Sequence, residues 1–138
     1  MNQKRGQIGT EYLIIISFVV FAVLTTLGIA LVYTANIKDS IKLSQLDKAA
    51  KKIIYASETT FYDGERALST VEVFFPEGIK NTTIYPKEIV FEISTQTGVN
   101  KISYGSNVPL QGDLTLTPSG LRKVKIRATS SYADISLV

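Results

Sequence analysis

The chain reads as an α+β protein. One long N-terminal helix, apolar in its first half and amphipathic in its second, packs on a C-terminal antiparallel β-sheet or β-sandwich head. Three observations predict this. No residue from Tyr12 to Ile37 carries a charge. From there to Tyr62 apolar residues recur at helical spacing, with no proline before Pro76. After Gly64 the apolar period changes from helical to alternating. The 138 residues suit one such helix and one small domain with a modest core, and leave no room for a two-lobed enzyme.

The first element opens with Lys4-Arg5-Gly6, then Gln7-Ile8-Gly9-Thr10-Glu11-Tyr12, then the uncharged run Leu13 to Tyr33. About 20 apolar residues in a helix cross the hydrocarbon core of a bilayer. Val and Ile are weak helix formers in water, and burial in lipid or in a packed bundle overrides that preference. Ser17, Thr25, Thr26 and Gly28 interrupt the run. The Thr25-Thr26-x-Gly28 patch is where the helix is expected to loosen or to admit a close neighbour.

The helix is expected to continue past Tyr33. Ile37, Ile41, Leu46, Ala50, Ile53, Ile54, Ser57 and Phe61 fall on or near one stripe, and Lys and Asp residues occupy the rest. One helix from Ile8 to about Thr60 would be about 80 Å long at the α-helical rise. The amphipathic half needs a sheet of its own chain to cover its stripe; the first half needs other molecules. Tyr62-Asp63-Gly64 is the expected stop.

Strand signals follow. Val71, Val73 and Phe75 share a face, Pro76-Glu77-Gly78 turns, and Ile84-Tyr85-Pro86 closes the next extended piece. Ile89, Phe91 and Ile93 alternate. Thr97-Gly98-Val99-Asn100 turns the chain toward Ile102 and Tyr104. Leu110, Leu114 and Leu116 come next, Pro118-Ser119-Gly120 turns, and Val124, Ile126 and Ala128 lead to a last strand between Tyr132 and Val138. Six or seven short strands with frequent turn signals read as an antiparallel sheet or sandwich.

Three readings of the N-terminus compete. A secretory signal peptide has a shorter apolar region and an A-x-A-like cleavage site, whereas Tyr33-Thr34-Ala35-Asn36-Ile37 is a poor site. A plain single-span anchor accounts for the run and the positive leader and leaves Glu11 unexplained. The third reading uses every residue: Lys4-Arg5-Gly6 followed by Gln7, Gly9, Glu11 and Tyr12 in a Q-x-G-x-E-Y pattern resembles the class III signal peptide of archaeal type IV pilins. The resemblance is specific over residues 4–33 and architectural beyond.

That resemblance implies a leader, residues 1–6, removed by a prepilin peptidase that cuts between Gly6 and Gln7. It implies a helix over residues 7–62, of which 7–35 form the membrane and then the filament core, and an extracellular head over residues 63–138. The expected partners are copies of the chain itself in a helical filament, the peptidase, the pilus assembly platform with its ATPase, and the cytoplasmic membrane before assembly. Tyr12, Leu13, Ile14, Ile15, Ile16, Phe18, Val19, Phe21, Leu24, Leu27, Ile29 and Leu31 would pack the filament core. Glu11, costly when unpaired in an apolar setting, would meet the new amino terminus of a neighbouring subunit and set register more than stability; a simpler role for it is to complement the helix dipole. The alternatives within and outside the class are a minor pilin or archaellin-like component, and a single-span membrane-anchored β-domain binding module.

Other chemistry has little footing. The chain has no Cys and no His, which removes thiolate sites, disulfides and the commonest metal ligand and general base. We expect no enzyme activity and no cofactor. The formal charge is +3; without residues 1–6 it is thirteen basic against twelve acidic residues, or +1, so nucleic acid is not an expected partner. Lys123, Lys125 and Arg127 share one strand face and read as a solvated outer surface. Asn81-Thr82-Thr83 is the only N-x-S/T sequon, making Asn81 the candidate for N-glycosylation on an extracellular head.

Overall fold

The computed structural model describes residues 3–114 and 118–138, with side chains from Gly9 onward. The fold is α+β: helix α1 (Gln3–Tyr62) is followed, among the described residues, by seven strands. The strands are β1 (Leu68–Phe75), β2 (Ile79–Tyr85), β3 (Glu88–Thr95), β4 (Gly98–Gly105), β5 (Leu110–Asp113), β6 (Gly120–Ala128) and β7 (Ala133–Leu137). The chain divides into two compact units, Met1–Lys38 and Asp39–Val138. The described residues of the first are helix alone. The second contains the amphipathic part of α1 and all the strands.

Helix α1 ends where its residues stop supporting it. Asp63 still donates its N–H to the Thr59 carbonyl at 2.9 Å, and Gly64 then takes a φ of 104°. That left-handed conformation is cheap only for glycine and terminates the helix.

The strands form two sheets. β1-β6-β7-β5 is four-stranded and β2-β3-β4 is three-stranded. All pairs are antiparallel except β5 with β7, which run parallel from Leu110↔Ala133 to Asp113↔Ser136. The fold class holds, with this one parallel pair added to it. The pair depends on Gly112: its φ is 138°, and a Cβ there would fall on the backbone of Ile135. The β3–β4 connection is tighter than the sequence suggests. Val99 and Asn100, expected in a turn, lie in β4 opposite Ser94 and Ile93; Gln96 and Thr97 make the turn instead. Leu116 lies outside the described residues.

The second unit has one core. Leu46, Ala50, Ile53 and Ser57 of α1 are fully buried, with Phe75, Ile89, Phe91, Ile93, Val124, Ile126 and Ile135 from the strands. These positions alternate along β3 and β6, as half-buried strands require. Buried Ser57 donates to the Ile53 carbonyl one turn back at 2.8 Å, so its hydroxyl costs little in an apolar core. Ile41, placed on the stripe from sequence, is 52% exposed; the buried stripe begins nearer Leu43. Three polar tethers fasten the flanks of the helix. Asp39 accepts the Gln96 N–H at 2.9 Å. Glu58 accepts both the Asn107 N–H and its Nδ2 at 2.9 and 3.0 Å. Lys52 donates to the Glu72 carbonyl at 2.7 Å.

Candidate functional site

The candidate site is the apolar half of α1, taken by itself. Sixteen large apolar or aromatic side chains from Tyr12 to Tyr33 are exposed, from 40% at Ile16 to 72% at Phe18. Tyr12, Leu13, Ile14, Ile15, Ile16, Phe18, Val19, Phe21, Leu24, Leu27, Ile29 and Leu31, expected to pack a filament core, are all among them. None of the most apolar window is buried by its own chain. Burying an exposed side chain of this size contributes about 2 kcal/mol, so the sixteen together represent on the order of 30 kcal/mol. That exceeds the net stability of a typical domain, about 5–15 kcal/mol. A helix in this condition is not compatible with open water. It is long and apolar enough to cross a membrane.

The polar residues within the segment are arranged for an apolar medium. Ser17 donates to the Leu13 carbonyl at 2.7 Å. Thr25, Thr26 and Thr34 donate to Phe21, Ala22 and Ala30, each at 2.8 Å. Every one of these hydroxyls returns to the carbonyl four residues earlier, so none asks its surroundings for a partner. The helix stays continuous through Thr25-Thr26-x-Gly28. At Gly28 no atom lies within 4 Å of the place a Cβ would occupy, which leaves room there for a neighbour's backbone.

Glu11 is exposed at the head of the apolar segment. Gly6 and Gln7, the expected cleavage pair, fall within the first eight residues, whose side chains lie outside the description. Gly9 faces open space, with nothing within 4 Å of a built Cβ.

In the second unit, Asn81 lies in β2 opposite Glu92, beside a register shift between Ile79 and Asn81. Thr82 is 2% exposed while Asn81 and Thr83 are half-buried, so the two residues of the sequon that matter chemically share the outward phase of the strand. Glu88 and Glu92 lie on the same outer face. Glu92 takes Lys101 at 2.7 Å, and the Lys101 ammonium is held above its usual pKa by that hydrogen bond and the charge behind it. Lys123 lies 3.6 Å from Glu72, and Arg127 stands opposite Asp134 in the β6–β7 register. The basic strand face is thus an ordinary mixed-charge surface. Among the described residues no group of three or more acidic side chains is placed to hold a metal ion.

Sequence reasoning missed the tethers from Asp39, Lys52 and Glu58. Their only signal was a charge on the margin of the apolar stripe, which a solvated residue shows equally. No protein-family model, no curated protein and no solved structure matches this chain.

Proposed function

We propose that the chain is the precursor of a structural subunit of a type IV pilus of the archaeal kind. The observation that carries the reading is the apolar half of α1, uncovered by its own chain and headed by Glu11 within the Q-x-G-x-E-Y pattern. Hydropathy alone fits any membrane anchor; the register of leader, small residue and glutamate is what favours a pilin. In this reading the peptidase cuts between Gly6 and Gln7, and the apolar helix passes from lipid into a bundle of the same helix from other copies. The assembly platform and its ATPase drive that transfer. The β heads face outward on a cell-surface adhesion filament, and Asn81 is the candidate residue for N-glycosylation on them. The filament does its work by polymerising, without catalysis and without a cofactor.

Mass spectrometry of the N-terminus in sheared surface material tests this. The expected product begins at Gln7, free or cyclised, and sediments as filaments. A chain that begins at Met1 or Asn2 and stays in the membrane fraction would sink the pilin reading and leave the anchored binding module. Two substitutions sharpen the result: Gly6→Val blocks maturation of a pilin, and Glu11→Gln impairs its assembly, whereas an anchor tolerates both.

A further inference from the structure

Two sheet edges are open among the described residues: β1, at one end of the four-stranded sheet, and β4, at one end of the three-stranded sheet. The remaining ends, β2 and β5, lie beside each other. Both open strands are eight residues long, and a long open edge is a template for another strand. On β1, Lys52 reaches the outward-facing carbonyl of Glu72. Backbone direction alternates along an antiparallel edge, so Leu68, Thr70 and Phe74 present their backbone groups outward in the same phase. A groove lies between this edge and the helix, lined by Lys48, Lys52, Phe74 and Leu121 and continuing past Tyr55 and Leu68. Phe74 and Leu121 face each other across β1 and β6 and are 48% and 63% exposed.

The flanks of the two edges are opposite in charge. Beside β1 stand Lys48 and Lys52 of the helix, Arg66 before the strand, and Lys123, Lys125 and Arg127 of β6, against the three carboxylates Asp63, Glu65 and Glu72. On the β4 side stand Asp47 and Glu58 of the helix and Glu88 and Glu92 of β3, against Lys51 and Lys101. The difference arises because Lys48 and Lys52 fall on one margin of the buried helical stripe and Asp47 and Glu58 on the other.

We propose that the β1 edge of one copy pairs with the β4 edge of a second copy, the basic margin of one head meeting the acidic margin of the next. This extends the filament reading by assigning the contact between heads, and it rests on copies being brought together as that reading requires. The incoming strand's N–H takes the Glu72 carbonyl from Lys52, Val99 of the incoming β4 adds apolar surface to that of Phe74 and Leu121, and complementary charge selects β4 over a second β1. The two edges differ, so the contact is head-to-tail and does not close; each copy added leaves one β1 and one β4 free.

The absence of cysteine makes the test direct. Thr70→Cys and Ser103→Cys, both exposed and mid-strand, are placed in the full-length chain on cells and treated with a short bismaleimide. The double variant should give a ladder of covalent multimers, each single variant only monomer, and a mixture of the two singles a dimer. Lys48→Glu should reduce the ladder about tenfold, and Lys48→Glu with Asp47→Lys should restore it, because the charges are then exchanged across the contact. Filaments that begin at Gln7 but give no ladder would overturn this contact and leave the pilin reading standing. A ladder from membrane-bound chains that begin at Met1 would support the contact and overturn the pilin reading. Cross-linking of Thr70→Cys to itself would show a symmetric contact and overturn the proposal.

Discussion

Thr82 is the residue whose environment fits it least well. It is 2% exposed and its hydroxyl has no hydrogen-bond partner. A buried hydroxyl left unmatched costs roughly 1–3 kcal/mol, whereas an isosteric methyl does not. Thr82→Val should therefore stabilise the second unit by about 1 kcal/mol, read as a higher urea midpoint at unchanged slope, and it leaves Asn81 and Thr83 in place. A lower midpoint would mean the hydroxyl has a partner after all. Tyr104 offers a second test. Burial, and then the charge of Asp47, hold its phenol above the usual tyrosine range. The folded state thus keeps its proton where the unfolded state has begun to lose it, so the contribution is complete below about pH 10 and is lost as pH rises through the folded value. Tyr104→Phe should flatten the fall in stability above about pH 10; an unchanged alkaline limb would refute this. Neither residue was legible as special in the sequence. Thr82 alternates like any strand threonine, and Tyr104 pairs edge-on with Phe91, at 6.1 Å between centroids, only after β3 and β4 are in register.

Among the elements, α1 was the most legible, because its two periods are long and uninterrupted. The change from all-round apolar to amphipathic near Ile37 corresponds to the division after Lys38. The strands were legible in number and inward face: Ile89, Phe91 and Ile93, and Val124, Ile126 and Ala128, are buried as alternation demands. Their pairing was not. Alternation marks a strand's two faces and says nothing about its neighbours, so the parallel β5–β7 pair and the open β1 and β4 edges appear only in the structure. The tethers belong to this scale. Glu58 holds the segment after β4 through two hydrogen bonds to Asn107. The contact is exposed, so Glu58→Ala should cost only about 1 kcal/mol. Hydrogen exchange should speed up selectively around residues 105–109, with β1 and β6 unaffected. Uniform acceleration would mean that the tether supports the whole unit.

For the whole molecule, the two units call for different surroundings. Residues from Asp39 onward contain a continuous core of their own; the described residues before it contribute no buried side chain. A chain lacking residues 1–38 should fold cooperatively in plain buffer, with one transition in urea, while the full chain requires detergent, lipid or copies of itself. Failure of the shortened chain to unfold cooperatively would show that the apolar helix contributes to the fold beyond membrane or filament contact. The N-terminal motif that the proposed function rests on is a matter of spacing, so it is read from the sequence without tertiary context.

The position of β7 gives the fold a direction in time. It is the last strand described, yet it sits inside its sheet, between β6 and β5, and is paired on both sides. β1 and β5 therefore wait for residues made well after them, and the four-stranded sheet closes only once Ala133 to Leu137 have left the ribosome. Sheets built from such distant pairings fold slowly. A chain whose synthesis stops early keeps a complete apolar helix but an unfinished sheet, and its unpaired strands are exposed to aggregation and degradation.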